Sequence, residues 1–299
     1  MNKISVNYKN FNLPSFSVVI AVYINDNVDE FKQAIDSLLN QSYQPSEIVI
    51  VVDGVITAEV NLLIDEFKTN ELFQIIELPV NMGLSNALNI GIQNSKHEII
   101  ARMDSDDVCM NDRFEKQIKH LISENLDIVG GQILEFKEST KEILFRREVP
   151  LEHSDIIRFM KYRSPFSHPS IVLKKSVFET INGYLVSFKG SAFQDYDFFV
   201  RAYMKGFKFG NVKDDVLYYR LGSDLRSMTR RRWGLGYAKL ELKVYWNFYH
   251  YKFYNFKDFI LNVVLKVPLR LLPFPLFNFI YFKLGRGKKE TLFSNNNQF

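Results

Sequence analysis

Three carboxylates, Asp104, Asp106 and Asp107, crowd the end of the run Ala101-Arg102-Met103-Asp104-Ser105-Asp106-Asp107. They follow His97-Glu98-Ile99-Ile100-Ala101, which has the branched apolar character of a buried strand. If the backbone stays extended, Asp104 and Asp106 point to one side, because side chains alternate along a strand. Adjacent carboxylates repel, so the pair suits a hard divalent cation, Mn2+ or Mg2+. The competing reading is a solvated acidic turn that caps the next helix.

A second carboxylate pair lies in Phe193-Gln194-Asp195-Tyr196-Asp197, at the start of a helical pattern closed by Gly206. Asp195 shares a face with Phe198, Phe199 and Ala202, whereas Asp197 lines up with Arg201 at the spacing of a surface ion pair. An inward carboxylate in a first turn is either a helix cap or a general base that takes a proton from a hydroxyl. His168, in Ser167-His168-Pro169-Ser170, reads either as a structural turn histidine or as a substrate or metal contact.

The elements that must position these groups alternate. Residues 15–23 read as a buried strand, and Asn25, Asp26 and Asn27 introduce a helix through Val28, Phe31, Ile35, Leu38 and Leu39. Residues 47–52 form the next strand, ended by Asp53-Gly54, and Thr57 caps a helix carrying Val60, Leu63, Ile64 and Phe67. A third strand over 73–78 leads through Asn81-Met82-Gly83 into a helix ending near Asn94, and the fourth strand ends at Asp104. A helix through Phe114, Ile118, Leu121 and Ile122 follows Asn111, a cap; residues 127–136, 143–148 and 171–173 are further strands, mixed in character. Repeated β-α units predict a mainly parallel sheet with helices on both faces and ligands at the carboxyl ends of the strands. The loops at residues 23–26, 53–54, 81–83 and 104–107 share that edge. No Gly-x-Gly-x-x-Gly follows the first strand and no Walker loop is present, so an ordinary dinucleotide fold and a P-loop nucleotidase are disfavoured.

Composition sets the outer bounds. The 299 residues, 46% apolar and 24% charged, make a globular chain with an unusual load of 27 Phe and 15 Tyr. A single cysteine, Cys109, excludes an internal disulfide and fits a packing role in a reducing compartment. Residues 1–14 lack the apolar core of a signal peptide, which predicts a cytoplasmic protein. The formal charge of +4 hides an asymmetry: residues 226–299 hold 14 Lys+Arg against 3 Asp+Glu, or +11, leaving 24 against 31, or −7, for residues 1–225. A basic tail seeks an anionic partner, and no nucleic-acid module is recognisable. The tail is also aromatic, from Tyr245 through Phe282, but Lys266, Arg270, Pro268, Pro273 and Pro275 oppose a simple membrane span. An interfacial helix pair on an anionic membrane surface fits better; a helical cap on the sheet domain is the other reading. Residues 294–299 read as disordered.

The ordered set Ser17-Val18-Val19-Ile20-Ala21-Val22-Tyr23, Val52-Asp53-Gly54, Asn81-Met82-Gly83-Leu84-Ser85-Asn86-Ala87-Leu88-Asn89, Arg102 to Asp107, Ser167-His168-Pro169, Gln194-Asp195-Tyr196-Asp197 and Tyr219-Arg220 resembles the family-2 glycosyltransferases of bacterial polysaccharide and O-antigen synthesis. The resemblance runs from about residue 15 to 235. It implies an α/β protein with the GT-A fold, a Rossmann-like mainly parallel sheet flanked by helices, with a C-terminal helical membrane-associating extension. The catalytic domain would be residues 1–225, with a nucleotide-sugar half about 15–110 and an acceptor half about 111–225, followed by the tail at 226–299.

It also implies inverting transfer from a nucleotide-diphosphate sugar, a UDP-sugar first, to a hydroxyl of a saccharide or lipid-linked acceptor, on the inner face of the cell membrane. Asp106 would hold the metal, Asp104 the nucleoside, Asp53 the nucleobase, and Asp195 would be the catalytic base. Ala21, Tyr23, Asp26, Asn81, Gly83, Asn86, Arg102, Ser105 and Arg220 complete the expected donor site, Arg220 and residues 226–232 at the diphosphate, the other reading of Arg230-Arg231-Arg232 being a solvated or lipid-facing cluster; His168 and Gln194 lie toward the acceptor. Two departures stand out: the family often has Pro where Ala21 stands and Glu where Gln194 stands. A sugar-phosphate nucleotidyltransferase is the alternative enzyme, lacking here its Gly-rich basic N-terminal loop; an inactive membrane scaffold is the alternative that Gln194 favours.

Overall fold

A computed structural model describes residues 13–186, 193–222 and 225–285. The first half is the expected series: β1 (Phe16–Val22), α1 (Val28–Leu39), β2 (Glu47–Asp53), α2 (Ala58–Phe67), β3 (Phe73–Leu78), α3 (Leu84–Asn94) and β4 (Ile99–Met103). Asn27 caps α1 by accepting from the N–H groups of Asp29 and Glu30, and Thr57 caps α2 by accepting from Val60. The strands are apolar throughout because both faces are covered. Val18, Ile20, Ile48, Ile50 and Ala101 enter one core beneath α1 and α2, whereas Val19, Val49, Val51 and Ile100 enter another with Ala87, Leu88 and Ile92 of α3.

The second half contains β5 (Val108–Cys109), α4 (Arg113–Ser123), β6 (Ile128–Lys137), β7 (Glu142–Arg147), α5 (His153–Met160), a 3-10 turn at His168–Ser170, β8 (Val172–Lys174), α6 (Lys175–Thr180), α7 (Gln194–Met204) and β9 (Phe209–Leu221). The sheet order is β3-β2-β1-β4-β8-β6-β9-β5, with β7 on β6. The parallel expectation holds from β3 to β4 and again for β6 with β9. Strands β8, β5 and β7 instead run antiparallel to their neighbours, so the sheet is mixed. A short turn suffices to pair β7 with β6, whereas a parallel neighbour needs a long crossover.

Beyond β9 lie α8 (Leu225–Arg230), α9 (Leu235–His250), α10 (Phe256–Lys266), a 3-10 turn at Pro268–Leu271 and α11 (Phe274–Gly285). Helix α9 meets the helical-cap reading: Val244, Tyr245 and Phe248, with Phe253 and Tyr254 beyond it, join Tyr196 and Phe198 of α7 in one core. The aromatic load is thus buried where the tail meets the catalytic unit. Arg270 grips Glu241 of α9 through two hydrogen bonds, at 2.9 and 3.1 Å. The outer faces of α10 and α11 remain exposed and apolar. Among the described residues no helix is long and apolar enough to cross a membrane. The disorder expected of residues 294–299 falls outside the described residues.

Candidate active site

The carboxyl ends of β1, β2 and β4 and the loop after β3 bring their polar clusters to one crevice. Gly54, at φ +83°, is required there: a Cβ would lie 2.4 Å from the backbone nitrogen of Asn81. The buried Asp53 carboxylate accepts from Met82 N at 2.6 Å and Gly83 N at 2.9 Å. Asn81 Nδ2 donates to the Asp53 carbonyl at 3.2 Å and Asn86 Nδ2 to the Met82 carbonyl at 2.7 Å. Asp53, Asn81, Gly83 and Asn86 therefore form one clamped loop, and both Asp53 oxygens expected at a nucleobase hold backbone N–H groups.

Half-buried Ala21 ends β1 beside exposed Tyr23, whose N–H donates to Asp26 at 2.8 Å. Burial pushes the Asp26 carboxyl up to about 6, the Asp104 and Glu30 charges adding to it against hydrogen bonds from Tyr23 N–H and the Ser105 hydroxyl. Ser105 thereby ties the first loop to the acidic one.

Strand β4 ends at Met103, so Asp104 and Asp106 converge by a turn and not by strand alternation, and the same turn brings in Asp107. One oxygen from each of the three lies within 4.8 Å of the others. Burial first, then Asp104, Asp26 and Glu30, pushes the Asp106 carboxyl up to about 7. Asp107 is raised well above the carboxylate range by burial and by Asp106 and Asp104, and its Oδ2 has no hydrogen-bond donor. Helix α4 takes its N-cap from Asp112, not from this turn, which removes the capping reading; Asn111, the expected cap, lies one residue earlier. Three crowded carboxylates, one of them with an unpartnered oxygen, offer the donor set of a hard cation and fit the expected metal.

Arg220 braces that turn. Its N–H donates to Asp107 at 2.9 Å, Nε to the Asp106 carbonyl at 2.5 Å and Nη2 to Gln33 at 3.0 Å, and it pairs with Glu138. Its guanidinium is therefore committed to the protein, where the sequence pointed to a diphosphate. Arg102, 1% exposed, pairs with Asp104, while its Nε and Nη1 have no acceptor. Cys109 is buried 3.2 Å from Arg113 and 3.1 Å from Met103 Sδ, in its expected packing role.

Across the crevice, Phe193 adopts a left-handed φ of +67° as the N-cap of α7 and lies against Tyr237, ring centres 5.1 Å apart. Half-buried Asp195 is thus the second helical residue, not the cap, and accepts from Ser164 Oγ at 3.3 Å. Burial raises its pKa against the Tyr196 N–H, Ser164, Arg102 and Arg232. Asp197 departs from expectation: its pair with Arg201, at 2.6 Å, is fully buried on the aspartate side because Tyr251, just after α9, covers it and donates at 3.2 Å. Gln194, also buried, accepts from the Ser85 hydroxyl of α3. His168 Nε2 lies 2.9 Å from the Tyr184 hydroxyl, and burial with Arg102 nearby holds its pKa well below normal. The metal-capable carboxylate group excludes His168, so its metal-contact reading is not met. Ser164 and Glu30 carried no signal in the sequence, and Ser85 only as part of a motif, because tertiary contacts alone bring them to the site.

The model of glycosyl transferase family 2 matches residues 17–181. The chain is 31% identical over 275 residues to the Escherichia coli UDP-Gal:alpha-D-GlcNAc-diphosphoundecaprenol beta-1,3-galactosyltransferase, covering 91% of this chain and 97% of that protein. It is 31% identical to the amylovoran biosynthesis glycosyltransferase AmsE of Erwinia amylovora, over 91% of this chain and all of that one. Staphylococcus aureus TarS, residues 1–349 in complex with UDP-GlcNAc, shares the GT-A fold at a TM-score of 0.59 and 15% identity, over 77% of this chain and 65% of that one. The crossed parallel half, the aspartate turn after β4 and the family match together make the chain a glycosyltransferase that belongs to glycosyl transferase family 2.

Proposed function

We propose that the protein transfers a sugar, with inversion, from a UDP-sugar to a hydroxyl of a lipid-linked saccharide in the assembly of a surface polysaccharide. One observation carries the reading. The Ser85 hydroxyl at the start of α3, beside the loop that Asp53 clamps, donates to Gln194, the neighbour of Asp195, which brings the donor loops and the isolated aspartate together; buried Arg102, paired with Asp104, helps to hold the Asp195 pKa down. A base at Asp195 takes the acceptor proton as the hydroxyl oxygen bonds to the anomeric carbon; the bond from that carbon to the diphosphate breaks, and the nucleoside diphosphate leaves with the electron pair. Asp106, with Asp104 and Asp107, would hold Mn2+ or Mg2+, which offsets charge on the departing diphosphate. Ser164 holds the Asp195 carboxylate in place. Gln194 supplies an amide where a carboxylate would add buried negative charge beside the base.

The donor class follows the UDP-Gal and UDP-GlcNAc in the names of the related proteins, and the lipid-linked acceptor follows the diphosphoundecaprenol named for one of them. Helix α10 supports a membrane-bound acceptor: Phe256, Ile260, Val264 and Leu265 are exposed on its outer side, with Phe279 on α11 and exposed Lys257 and Lys283 nearby in sequence. Apolar side chains flanked by lysines suit the interface of an anionic membrane. The test is transfer from UDP-Gal or UDP-GlcNAc to a saccharide-diphosphate-lipid in the presence of Mn2+. Asp195→Asn is expected to bind UDP-sugar like the parent and to lose about 10³-fold in turnover; full turnover in that variant would remove Asp195 as the base.

A further inference from the structure

We propose that Arg147, Arg163 and Arg232 form an anion site on the acceptor side of Asp195 that takes the diphosphate of a lipid-linked acceptor, a reading that rests on the sugar transfer above. The three come from separate segments. Arg147, at the end of β7, bonds Glu135 at 2.5 Å, lies 3.5 Å from Ser167 Oγ and has its guanidinium 5.7 Å from the centre of the Tyr219 ring. Arg232, beyond α8, bonds the Tyr281 hydroxyl of α11. Arg163 is exposed, stacks 5.4 Å from the Phe159 ring centre and pairs with no carboxylate among the described residues. Arg147 reaches Ser167 in the loop that begins at Arg163, and Phe282, next to Tyr281, packs on the same Leu144–Leu221 cluster as Tyr219, whose ring Arg147 faces, which brings the three segments together; partial desolvation of the guanidinium, then the charges of Arg147 and Arg232, lower the Arg163 pKa. Planar guanidiniums in such a group match the paired oxygens of phosphates.

Position then selects the acceptor's phosphates. Ser164, the residue after Arg163, donates to Asp195 at 3.3 Å, so the site adjoins the base. On the other side, Asn262 of α10 donates to the Lys161 carbonyl at 3.0 Å, Lys266 donates to the Tyr162 carbonyl, and Lys161 pairs with Asp258 at 3.0 Å. Residues 161–162 are thus held by the inner side of α10, opposite its exposed apolar face, and the chain continues through Arg163 to Ser164, which bonds Asp195. A lipid tail, a diphosphate and a sugar hydroxyl follow the same order.

The test titrates a short-chain alkyl diphosphate calorimetrically into the full chain saturated with UDP and Mn2+. Binding is expected alongside UDP, weakened roughly tenfold or more by Arg163→Ala and less by Arg163→Lys, as for loss of a charge-assisted hydrogen bond. Arg163→Ala should also lower kcat/KM for a saccharide-diphosphate-lipid at least tenfold more than for the matching alkyl glycoside. Complete competition by UDP would overturn the proposal, because the arginines would then serve the donor diphosphate. So would a parallel loss of binding to phosphatidylglycerol vesicles, which would assign them to lipid headgroups. Arg163-dependent diphosphate binding without transfer from any UDP-sugar would support the anion site and overturn the proposed reaction instead.

Discussion

On the donor side of the crevice, Asp26, Asp104, Asp106 and Asp107 crowd together, and burial and mutual repulsion raise Asp26 and Asp106 to about 6 and 7. On the acceptor side, Asp197 is paired with Arg201 inside the core while Asp195, two residues earlier, has Ser164 as its one side-chain hydrogen-bond partner among the described residues. Both sides bury carboxylates, but they resolve the cost differently. The acceptor side neutralises Asp197 with a fixed guanidinium, whereas the donor side crowds three carboxylates whose oxygens fit a hard cation. A carboxylate's role here follows from its counter-charge, not from its depth.

The largest expected effect breaks the fixed pair. Asp197→Ala should cost about 3–5 kcal/mol of stability, since it leaves the Arg201 cation buried without its partner; urea unfolding measures it, and a loss below 1 kcal/mol would mean that water reaches the pair. Next comes the open group. At 100 times its dissociation constant, Mn2+ should stabilise the parent by about 2.7 kcal/mol, and Asp106→Ala should remove that thermal shift and lower turnover about 100-fold. An undiminished shift in the variant would move the cation elsewhere.

Smaller still, Val264→Ser with Leu265→Ser on α10 should weaken binding to anionic vesicles about tenfold, the two partly inserted side chains together contributing on the order of 1.5 kcal/mol. Unchanged vesicle binding would restrict α10 to the cap role that α9 plays. The mildest test is pH. As the proposed base Asp195 would act as the carboxylate, and burial raises its pKa. Its ionised fraction therefore falls as pH drops, and the acid limb of kcat/KM should lie above the ordinary carboxylate value of about 3.9. The Ser164→Ala variant, losing a bond that favours the charged form, should move the limb further up.

Much of the fold was legible because it rests on local pattern. The buried strands β1 to β4, the caps at Asn27 and Thr57, and the helix from Gln194 were all visible in periodicity and cap chemistry. The aspartate turn was legible as a cluster, but its geometry was not: strand alternation pairs Asp104 with Asp106, while the turn also gathers Asp107. Asp197 misled the helical reading because its face is covered by Tyr251, 54 residues later in the chain. The antiparallel β8 was hidden for the same reason, since strand direction depends on which neighbour the chain meets.

The sequence by itself determined which residues can carry charge and metal chemistry, since carboxylate and guanidinium groups and the period of the apolar residues are properties of the chain alone. Only the tertiary structure decided what neutralises each charge. It spent Arg220 on the Asp106–Asp107 turn, closed Asp197 onto Arg201, and left Asp195 beside Ser164. Electrostatic partnership depends on distance and burial in space, and segments far apart in the chain supply both.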